Sequence, residues 1–441
     1  MRRVEPGIAV LTPGRSVAKR GWIWLAGALA VVLIVAGVAV KAGGLTSYVT
    51  AASHSKTGKK AKKKVATGAV FNLPSGSKAQ QQRIDRHVIT LIRNAPKRAT
   101  IYTNVYHLSD RVLAAELVKA RKRGVRVRVI VDYWTTGTPA YKALKKALGT
   151  NLRKASWIIA CPRDRGCIGV PYNGSVSVNH NKFFLFSTSG ASRGVVVQST
   201  ANSTFRGRAK QWNSALTIVD GRLYAAYRHY FYDLSRRRGR ADYSKTFRAG
   251  KYRLDLFPRA QGDPISEALN RVSCVGGTRI RVALSYFTWT PIARKLWQLD
   301  DQGCRVEAIG SDVSKQVIQE MTRSGGRHGG PVMRILQESG NRAGQHSKYM
   351  LIDGLYQGRR QKILFTGSVN YTLIGFRSSD ETLLTVFDAR LHDAYVANFT
   401  TVFRYGTKAQ VGGRSQTGVP YLLAPEGSDE ATGPAADPAT E

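Results

Sequence analysis

The chain repeats one ordered set of polar residues in two places, and this repeat limits what it can fold into. The stretches VSVNHNKFFLFS and GQHSKYMLID each place a histidine and a lysine two residues apart, ahead of an apolar run. Because residues i and i+2 of a strand share a face, His180 joins Lys182, and His346 joins Lys348. Brought together, two imidazoles and two ammonium groups would suit a phosphate ester, since one imidazole can attack phosphorus while the other protonates the leaving oxygen.

The residues that follow each histidine also match, which separates the pattern from a chance His-x-Lys. Each copy leads to a small hydroxylic turn, then to an asparagine, and eleven residues later to a polar residue that could orient an imidazole. The matched pairs are Thr200 and Ser368, Asn202 and Asn370, and Asn213 and Glu381. The second copy also carries Asp353, five residues after Lys348.

The duplication extends upstream of the histidines. Ile101 and Ile280 are 179 residues apart, as are Gly124 and Gly303, whereas the histidines are 166 apart, as expected of a repeat with unequal loops. Each half alternates β-branched runs with helical stretches, which predicts an α/β fold with mixed or parallel sheets covered by helices. We expect strands near residues 100–106, 126–132, 280–287 and 305–310, and helices at 109–123 and 291–302.

From about residue 70 to residue 420 the chain resembles the phospholipase D superfamily, whose members carry two HxKxxxxD-type motifs. The resemblance is to secreted or membrane-anchored bacterial members, and it implies two similar lobes that share one active site without a metal or other cofactor. It also implies a two-step reaction through a phosphohistidine that water or an alcohol resolves. The implied catalytic residues are His180, Lys182, His346, Lys348, Asp353 and Glu381. The implied phosphate ligands are Asn202, Asn370, Thr200 and Ser368, together with the lysines.

The first copy departs from the family pattern at two positions. Ser187 stands where the motif has aspartate, and Asn213 stands where an acidic orienting residue is expected. A carboxylate stabilises an imidazolium and fixes its tautomer, whereas an amide only fixes the tautomer. We expect Glu381 to orient His346, which makes His346 the better supported imidazole, although the family usually assigns the nucleophile to the first lobe. Asp380 is the alternative orienting residue.

The N-terminal region predicts a membrane or export signal. A basic tail over residues 1–20 precedes an uncharged apolar run over 21–40, which is long enough to cross a bilayer. A cleaved signal sequence is the alternative, although its apolar region is usually shorter, about 7–15 residues. Residues 41–70 are expected to form a basic linker that could lie against an anionic membrane.

The remaining boundaries follow from the repeat and from composition. We expect a first lobe over residues 71–257, a second lobe over 258–424, and a disordered acidic tail over 425–441. A duplicated chain needs no second copy to complete its site, so a monomer is expected. The catalytic part is expected outside the cytoplasm, either anchored at the cell membrane or secreted.

The four cysteines agree with an oxidising compartment. Cys161 and Cys167 close a short loop, while Cys274 and Cys304 each precede a predicted strand of the second lobe. Two disulfides are the favoured interpretation and free buried thiols the alternative. Neither pair has the CxxC-type partner that is typical of a zinc site.

The charge leaves the substrate class open. Lysine and arginine number 68 against 28 acidic residues, which gives a net charge of +40. Such a field favours anionic partners, whether an anionic lipid surface or a nucleic acid. The favoured hypothesis is a phosphodiesterase acting on phospholipids. The alternatives are a secreted nuclease acting on DNA or RNA, and a non-catalytic binder of membranes or anionic polymers.

Overall fold

The computed structural model describes residues 63–410, which form two mixed sheets with helices packed against them. The strands are β1 Gly68–Phe71, β2 Thr100–Val105, β3 Arg126–Val131, β4 Trp157–Ala160, β5 Lys182–Ser189, β6 Ser192–Ser199, β7 Gln211–Trp212, β8 Ser214–Val219, β9 Lys245–Ala249, β10 Tyr252–Leu256, β11 Val272–Ser273, β12 Arg279–Phe287, β13 Arg305–Val313, β14 Val332–Ile335, β15 Gly344–Gln345, β16 Tyr349–Tyr356, β17 Arg359–Gly367, β18 Thr382–Val386 and β19 Thr407–Lys408. The α-helices are α1 Lys78–Gln81, α2 Arg83–Arg93, α3 Arg111–Lys122, α4 Pro139–Leu148, α5 Phe205–Ala209, α6 Gly221–Ser235, α7 Pro264–Leu269, α8 Thr290–Asp301, α9 Lys315–Thr322, α10 Leu373–Arg377 and α11 Ala389–Tyr405.

The two sheets have matching topology, which confirms the two α/β lobes. The first sheet has the order β1-β8-β6-β5-β2-β3-β4, and the path of the second is β19-β14-β13-β12-β16-β17-β18-β10-β9. In both, three neighbouring strands run parallel, β2-β3-β4 and β12-β13-β14, and the histidine-bearing strand pairs antiparallel with the first of them. The predicted strands and helices agree with these elements to within about three residues.

The matched glycines explain why the crossover helices end where they do. Gly124 and Gly303 follow α3 and α8 with φ of 85° and 98°, a conformation that glycine adopts without steric cost. At the other end of α3, the Asp110 side chain accepts hydrogen bonds from the amides of Val112 and Leu113, which satisfies donors of the first turn. Each crossover therefore returns the chain promptly to the next parallel strand.

Alternate residues of the central strands face two different cores. On β5, Leu185 faces the core between the sheets, whereas Phe184 and Phe186 face the outer core under α2, α3 and α4. On β16, Leu351 faces the inner core and Ile352 an outer core under α7, α8 and α9. Helices α6 and α11 lie within the inner core. Because burying one such side chain contributes roughly 1.5–3 kcal/mol, register on these strands is strongly specified.

The lobe boundary predicted at residue 257 is wrong. Strands β9 and β10 come before it in the chain but belong to the second sheet, where Leu254 of β10 lies opposite Leu384 of β18. Leu254 and Leu256 are fully buried there, and that burial favours pairing with the second sheet. The first sheet also begins earlier than expected, with β1 at Gly68 inside the predicted linker.

Part of the predicted organisation lies outside the described residues. The basic tail 1–20, the apolar run 21–40 and the acidic tail 425–441 belong to this part. Among residues 63–410, no helix combines the length and the apolar character needed to span a bilayer.

Both predicted disulfides are present. Cys161 bonds Cys167 within the first lobe, and Cys274 bonds Cys304 within the second. The second bond joins the segments that lead into β12 and β13, because these parallel neighbours start side by side. The bonds close loops of very different length, with sequence separations of 6 and 30.

We expect the longer loop to contribute more stability. By the loop-entropy relation, replacing Cys274 and Cys304 by serine lowers the free energy of unfolding by about 4 kcal/mol, against about 2 kcal/mol for Cys161 and Cys167. Denaturant unfolding of the two double variants measures the difference. An equal or reversed order would show that the short loop stabilises the fold through contacts rather than through closure.

Candidate active site

The two histidines occupy equivalent places in the two lobes. Lys182 begins β5 opposite Val105, the last residue of β2, so His180 lies at the carboxyl end of the parallel strands. In the second lobe Tyr349 begins β16 opposite Ala283 of β12, directly after Lys348. The edge at which parallel strands end is where α/β folds commonly bind ligands.

Each histidine segment pairs with a segment of the other lobe rather than of its own. The amide of His180 donates to the carbonyl of Asp380 at 3.0 Å, and the amide of His346 donates to the carbonyl of Trp212 at 3.0 Å. Parallel bridges join the preceding residues to the same partners, Asn179 to Asp380 and Gln345 to Trp212. The lobes therefore exchange their polar segments, and this exchange brings the two repeats into one site.

The exchange reverses the predicted pairing of the orienting residues. Oε1 of Glu381 lies 2.7 Å from Nδ1 of His180, and Oδ1 of Asn213 lies 2.8 Å from Nδ1 of His346. The prediction that Glu381 orients His346 is wrong, and His180 is the imidazole with a carboxylate behind it. Spacing within each lobe suggested an internal pair, but the crossing of segments between lobes decides the contact.

The Asn213 amide is fixed in one orientation. Its Nδ2 donates to the carbonyl of Gly207 at 2.8 Å, while its Oδ1 accepts from the Thr200 hydroxyl at 2.9 Å. Since Oδ1 can only accept, Nδ1 of His346 carries the proton and Nε2 has the lone pair in the neutral ring. Asn72, which sequence reasoning missed, accepts from the Asn213 backbone amide at 2.7 Å.

Both lysines are buried beside their histidines. Lys182 and Lys348 donate to the carbonyls of His180 and His346, at 2.7 and 2.6 Å respectively, and are 0% and 2% exposed. Burial and the two nearby ammonium groups lower the pKa of each imidazole well below its usual value. The charge of His180 also lowers the pKa of His346, which places the two rings in one electrostatic unit.

The Glu381 carboxyl responds in the opposite direction. Burial raises its pKa to about 8, against the two ammonium groups and a hydrogen bond with Ser368, which lower it. Glu381 and His180 lie in direct contact at 2.7 Å, so their titrations are coupled, and burial favours the uncharged form of both groups.

The hydroxylic residues predicted to bind phosphate contact the residues that orient the two histidines, and the predicted amide residues are buried. Thr200 hydrogen-bonds Asn213, and Ser368 hydrogen-bonds Glu381, so each hydroxyl supports the orienting residue of its own lobe. Asn370 accepts from the amide of Tyr286 at 3.2 Å and is fully buried, as Asn202 nearly is. Direct contact of these four side chains with phosphate stays a prediction.

Asp353 and Ser187 lie away from the histidines. They face Arg279 and Thr100, the first residues of β12 and β2, five residues along the strands from the lysines and therefore about 16 Å away. Ser187 accepts from the Thr100 amide at 2.8 Å. The prediction of a catalytic Asp353 is therefore wrong, and Ser187 alters a strand end rather than the site.

Two further buried carboxyls surround His180. Asp132 accepts from the amide of Asn179 at 2.7 Å, and burial raises its pKa to about 7. Asp380 does not orient a histidine, because its oxygens accept from the amides of Cys167, Ile168 and Gly169. The signal for Asp132 was its place at the end of a β-branched run, VRVRVIVD.

Three buried acidic residues near His180 have no acidic counterpart in the repeat. By the repeat, Asp132, Asp380 and Glu381 correspond to Ser311, Trp212 and Asn213 in the opposite copy. At these three positions the repeat therefore places carboxyl groups near His180 and uncharged side chains near His346, although the backbone pairing of the two halves is the same.

Comparisons with known proteins agree with this architecture. The family model described as "Cardiolipin synthase, PLD-like domain" matches residues 88–235 and 272–403, well over half the chain. A search of curated proteins finds no match.

Solved structures share the fold at low identity. Phosphatidylserine synthase from Haemophilus influenzae Rd KW20 is 16% identical with a TM-score of 0.54, over 78% of this chain and 88% of that one. Polyphosphate kinase from Porphyromonas gingivalis is 13% identical with a TM-score of 0.54, over 77% of this chain and 50% of that one, so this chain spans about half of the kinase. A phospholipase D family member from Salmonella typhimurium is 18% identical with a TM-score of 0.29, over 36% of this chain and 96% of that one. With two matched segments, two equivalent lobes and one shared pair of histidine motifs, the chain belongs to the phospholipase D superfamily.

Proposed function

We propose that this protein cleaves the phosphodiester bond of phospholipids through a phosphohistidine, without a metal. The proposal rests on the site that the two lobes form by exchanging segments. Each of its two buried imidazoles is oriented at Nδ1 by a residue of the other lobe, and two buried ammonium groups lower the pKa of both rings. The ammonium groups supply the positive charge that a phosphoryl transition state requires.

His180 is the proposed nucleophile. Its Nε2 attacks phosphorus and forms a P–N bond while the bond to the leaving oxygen breaks. The ring then bears positive charge, which Glu381 at 2.7 Å stabilises and Asn213 could not. This reverses the preference for His346 that the spacing of residues suggested.

His346 is the proposed acid and base. Its protonated Nε2 gives a proton to the leaving alkoxide and later takes one from the incoming water or alcohol, whose oxygen displaces His180 from phosphorus. Water yields phosphatidic acid, whereas an alcohol yields a new phosphodiester. The anionic phosphate between the lysines raises the pKa of His346, so that the ring can be protonated when it is needed.

Exposed apolar residues support a lipid substrate. Val112, Trp134 and Phe205, here called the apolar rim, are 56%, 47% and 54% exposed. Their loops are joined by hydrogen bonds from the Ser109 amide to Ser203 and from the Leu108 amide to Thr135. The three residues follow the ends of β2, β3 and β6, which lie at the edge of the first sheet where Lys182 begins β5, and we infer from this that the rim borders the site.

The net charge of +40 complements an anionic bilayer, and the family model bears the name of a lipid-synthesising enzyme. We further propose that residues 21–40 anchor or export the chain, so that the site acts outside the cytoplasm as a monomer. Two disulfides favour this location, since such bonds persist in oxidising compartments.

Nucleic acid is the second candidate substrate, because the same charge suits a polyanion. Basic residues such as Arg206 and Lys210 follow Asn202, close to the site. The third candidate is a binder without activity, in which Asn213 marks a lost catalytic function.

The first experiment compares substrates in EDTA with the full-length chain in mixed micelles. Phosphatidylglycerol and phosphatidylcholine are expected to be cleaved, and His180→Ala or His346→Ala lowers kcat at least about 10³-fold. Single-stranded DNA is offered in parallel. Asp353→Ser is the matched control, and it is expected to stay within about threefold of the unmodified chain.

Cleavage of DNA alone would move the proposal to a nuclease, and inactivity on all substrates would favour the binder. If phosphatidylglycerol is consumed with release of glycerol, phosphatidic acid indicates water as acceptor and cardiolipin indicates a second lipid.

Anion binding is expected to take up protons. Burial and two ammonium groups lower the pKa of both imidazoles, and a bound dianion reverses that effect, so sulfate binds more weakly as pH rises from 6 to 8. The affinity falls by up to about tenfold per pH unit for each proton taken up. Calorimetric titration with sulfate measures the slope, which His346→Ala reduces, and affinity that rises with pH would contradict the charge assignment.

The apolar rim is expected to act only at interfaces. Serine at Val112 and Phe205 lowers turnover on anionic vesicles about tenfold while leaving a soluble short-chain phospholipid unaffected, because these exposed residues insert into lipid. Vesicle sedimentation and the two rates are measured together. Equal losses on both substrates would show that the rim supports the site rather than binding membrane.

A further inference from the structure

The disulfide loop of the first lobe is built around a carboxylate of the second lobe. Asp380 is fully buried, and its two oxygens accept 2.6 Å hydrogen bonds from the amides of Cys167 and Gly169, with the amide of Ile168 at 3.1 Å. Three successive backbone donors form an anion-binding concavity. The Cys161–Cys167 bond closes the loop whose last residue supplies the first of them.

Glycines permit the close approach of the disulfide loop to the segment that contains Ser378 and Asp380. A Cβ atom at Gly169 would lie 1.9 Å from the carbonyl oxygen of Ser378, and one at Gly166 would lie 2.8 Å from Oδ2 of Asp380. Ser177 adds a link between the lobes, since its hydroxyl donates to the Ser378 carbonyl at 2.8 Å and accepts from the Gly166 amide at 2.9 Å.

The backbone of Asp380 lies directly behind the proposed nucleophile. Its carbonyl accepts from the His180 amide at 3.0 Å, and its amide donates to the Val178 carbonyl at 2.9 Å. The next residue, Glu381, contacts Nδ1 of His180. A displacement of Asp380 would therefore move both the backbone and the carboxyl that hold the His180 ring.

The other half of the site lacks this support. The residue equivalent to Asp380 is Trp212, whose ring packs against Tyr405 at 5.0 Å between centroids. The second disulfide, Cys274–Cys304, lies at the starts of β12 and β13, the opposite end of the sheet from His346. Only the first disulfide of the described region thus touches an orienting segment.

We propose that Asp380 is a positioning residue through which the loop closed by Cys161–Cys167 sets Glu381 against His180. The inference rests on the proposed function of His180, and it predicts that the short disulfide contributes to turnover, although it contributes less to stability than the long one does. The long disulfide has the converse role, because it closes the larger loop far from the site.

The test uses double-serine variants of each disulfide, together with Asp380→Asn, in the full-length chain. In the unmodified protein both oxygens of Asp380 accept from backbone amides. Asparagine keeps the shape of the side chain, but in either orientation its NH₂ group would face one of these N–H donors. We expect Asp380→Asn and the Cys161/Cys167 variant each to lower kcat about 10- to 100-fold with KM nearly unchanged.

Two comparisons separate positioning from general damage. The variant that combines Asp380→Asn with loss of Cys161–Cys167 is expected to lose no more activity than either change alone, because both changes disturb the same contact between the loop and Asp380. The Cys274/Cys304 variant is expected to unfold more easily and yet keep its kcat. Ser177→Ala, a milder change in the same contact, is expected to give a smaller loss if Asp380→Asn does not fold.

The pH dependence of sulfate binding provides a readout that needs no substrate. In Asp380→Asn and in the Cys161/Cys167 variant the slope is expected to shrink, because the contact between Glu381 and His180 is disturbed, and His180→Ala, which removes the same contact, is expected to shrink it as well. The inference would be overturned if the losses of kcat multiplied in the combined variant. It would also be overturned if Asp380→Asn and the Cys161/Cys167 variant kept both the kcat and the sulfate slope of the unmodified chain. An inactive unmodified chain would instead sink the proposed function, while the sulfate slopes would still decide the role of Asp380.

Discussion

The exchange of polar segments between the lobes is the contact on which the site depends. Each histidine donates its amide to the lobe that it does not belong to, and each ring takes its orienting partner from that lobe. Neither lobe alone could orient its histidine ring in this way, because the residue that contacts Nδ1 belongs to the other lobe. The inner core around α6 and α11 holds the sheets together, and so maintains the distances of 2.7 and 2.8 Å at the two rings.

The site contains two buried lysines, whose positive charge suits an anionic substrate. Two ammonium groups, which are 0% and 2% exposed, lie beside two imidazoles whose pKa they lower. Burying cations costs free energy unless they meet partners, and the carbonyls of His180 and His346 are among the partners of the two lysines. In the proposed reaction, the phosphate group of the substrate would add negative charge between the lysines and would raise the pKa of both imidazoles.

Much of the fold was readable from the sequence because the repeat carries it. The strands that begin at Thr100 and Arg279 and the glycines that end α3 and α8 follow from β-branched runs and matched offsets, and both disulfides follow from cysteine placement. The motifs likewise identified His180, His346 and their lysines. Two predictions failed because they depend on which lobe a segment pairs with, namely the lobe of β9 and β10 and the partner of Glu381. Such pairings are set by how the two sheets pack, and no local pattern records them. A third, the catalytic role of Asp353, failed because that residue lies too far along its strand.

The unequal orienting residues make the two halves of a symmetric backbone differ in chemistry. Glu381 and Asn213 occupy the same place in the repeat, so under the proposed mechanism the choice of nucleophile depends on one functional group rather than on the fold. Under the same mechanism, a chain in which these two residues were exchanged would keep both lysines but would place the carboxylate behind His346 instead of His180. A difference in one side chain between two equivalent positions is thus enough to make a repeated backbone chemically asymmetric.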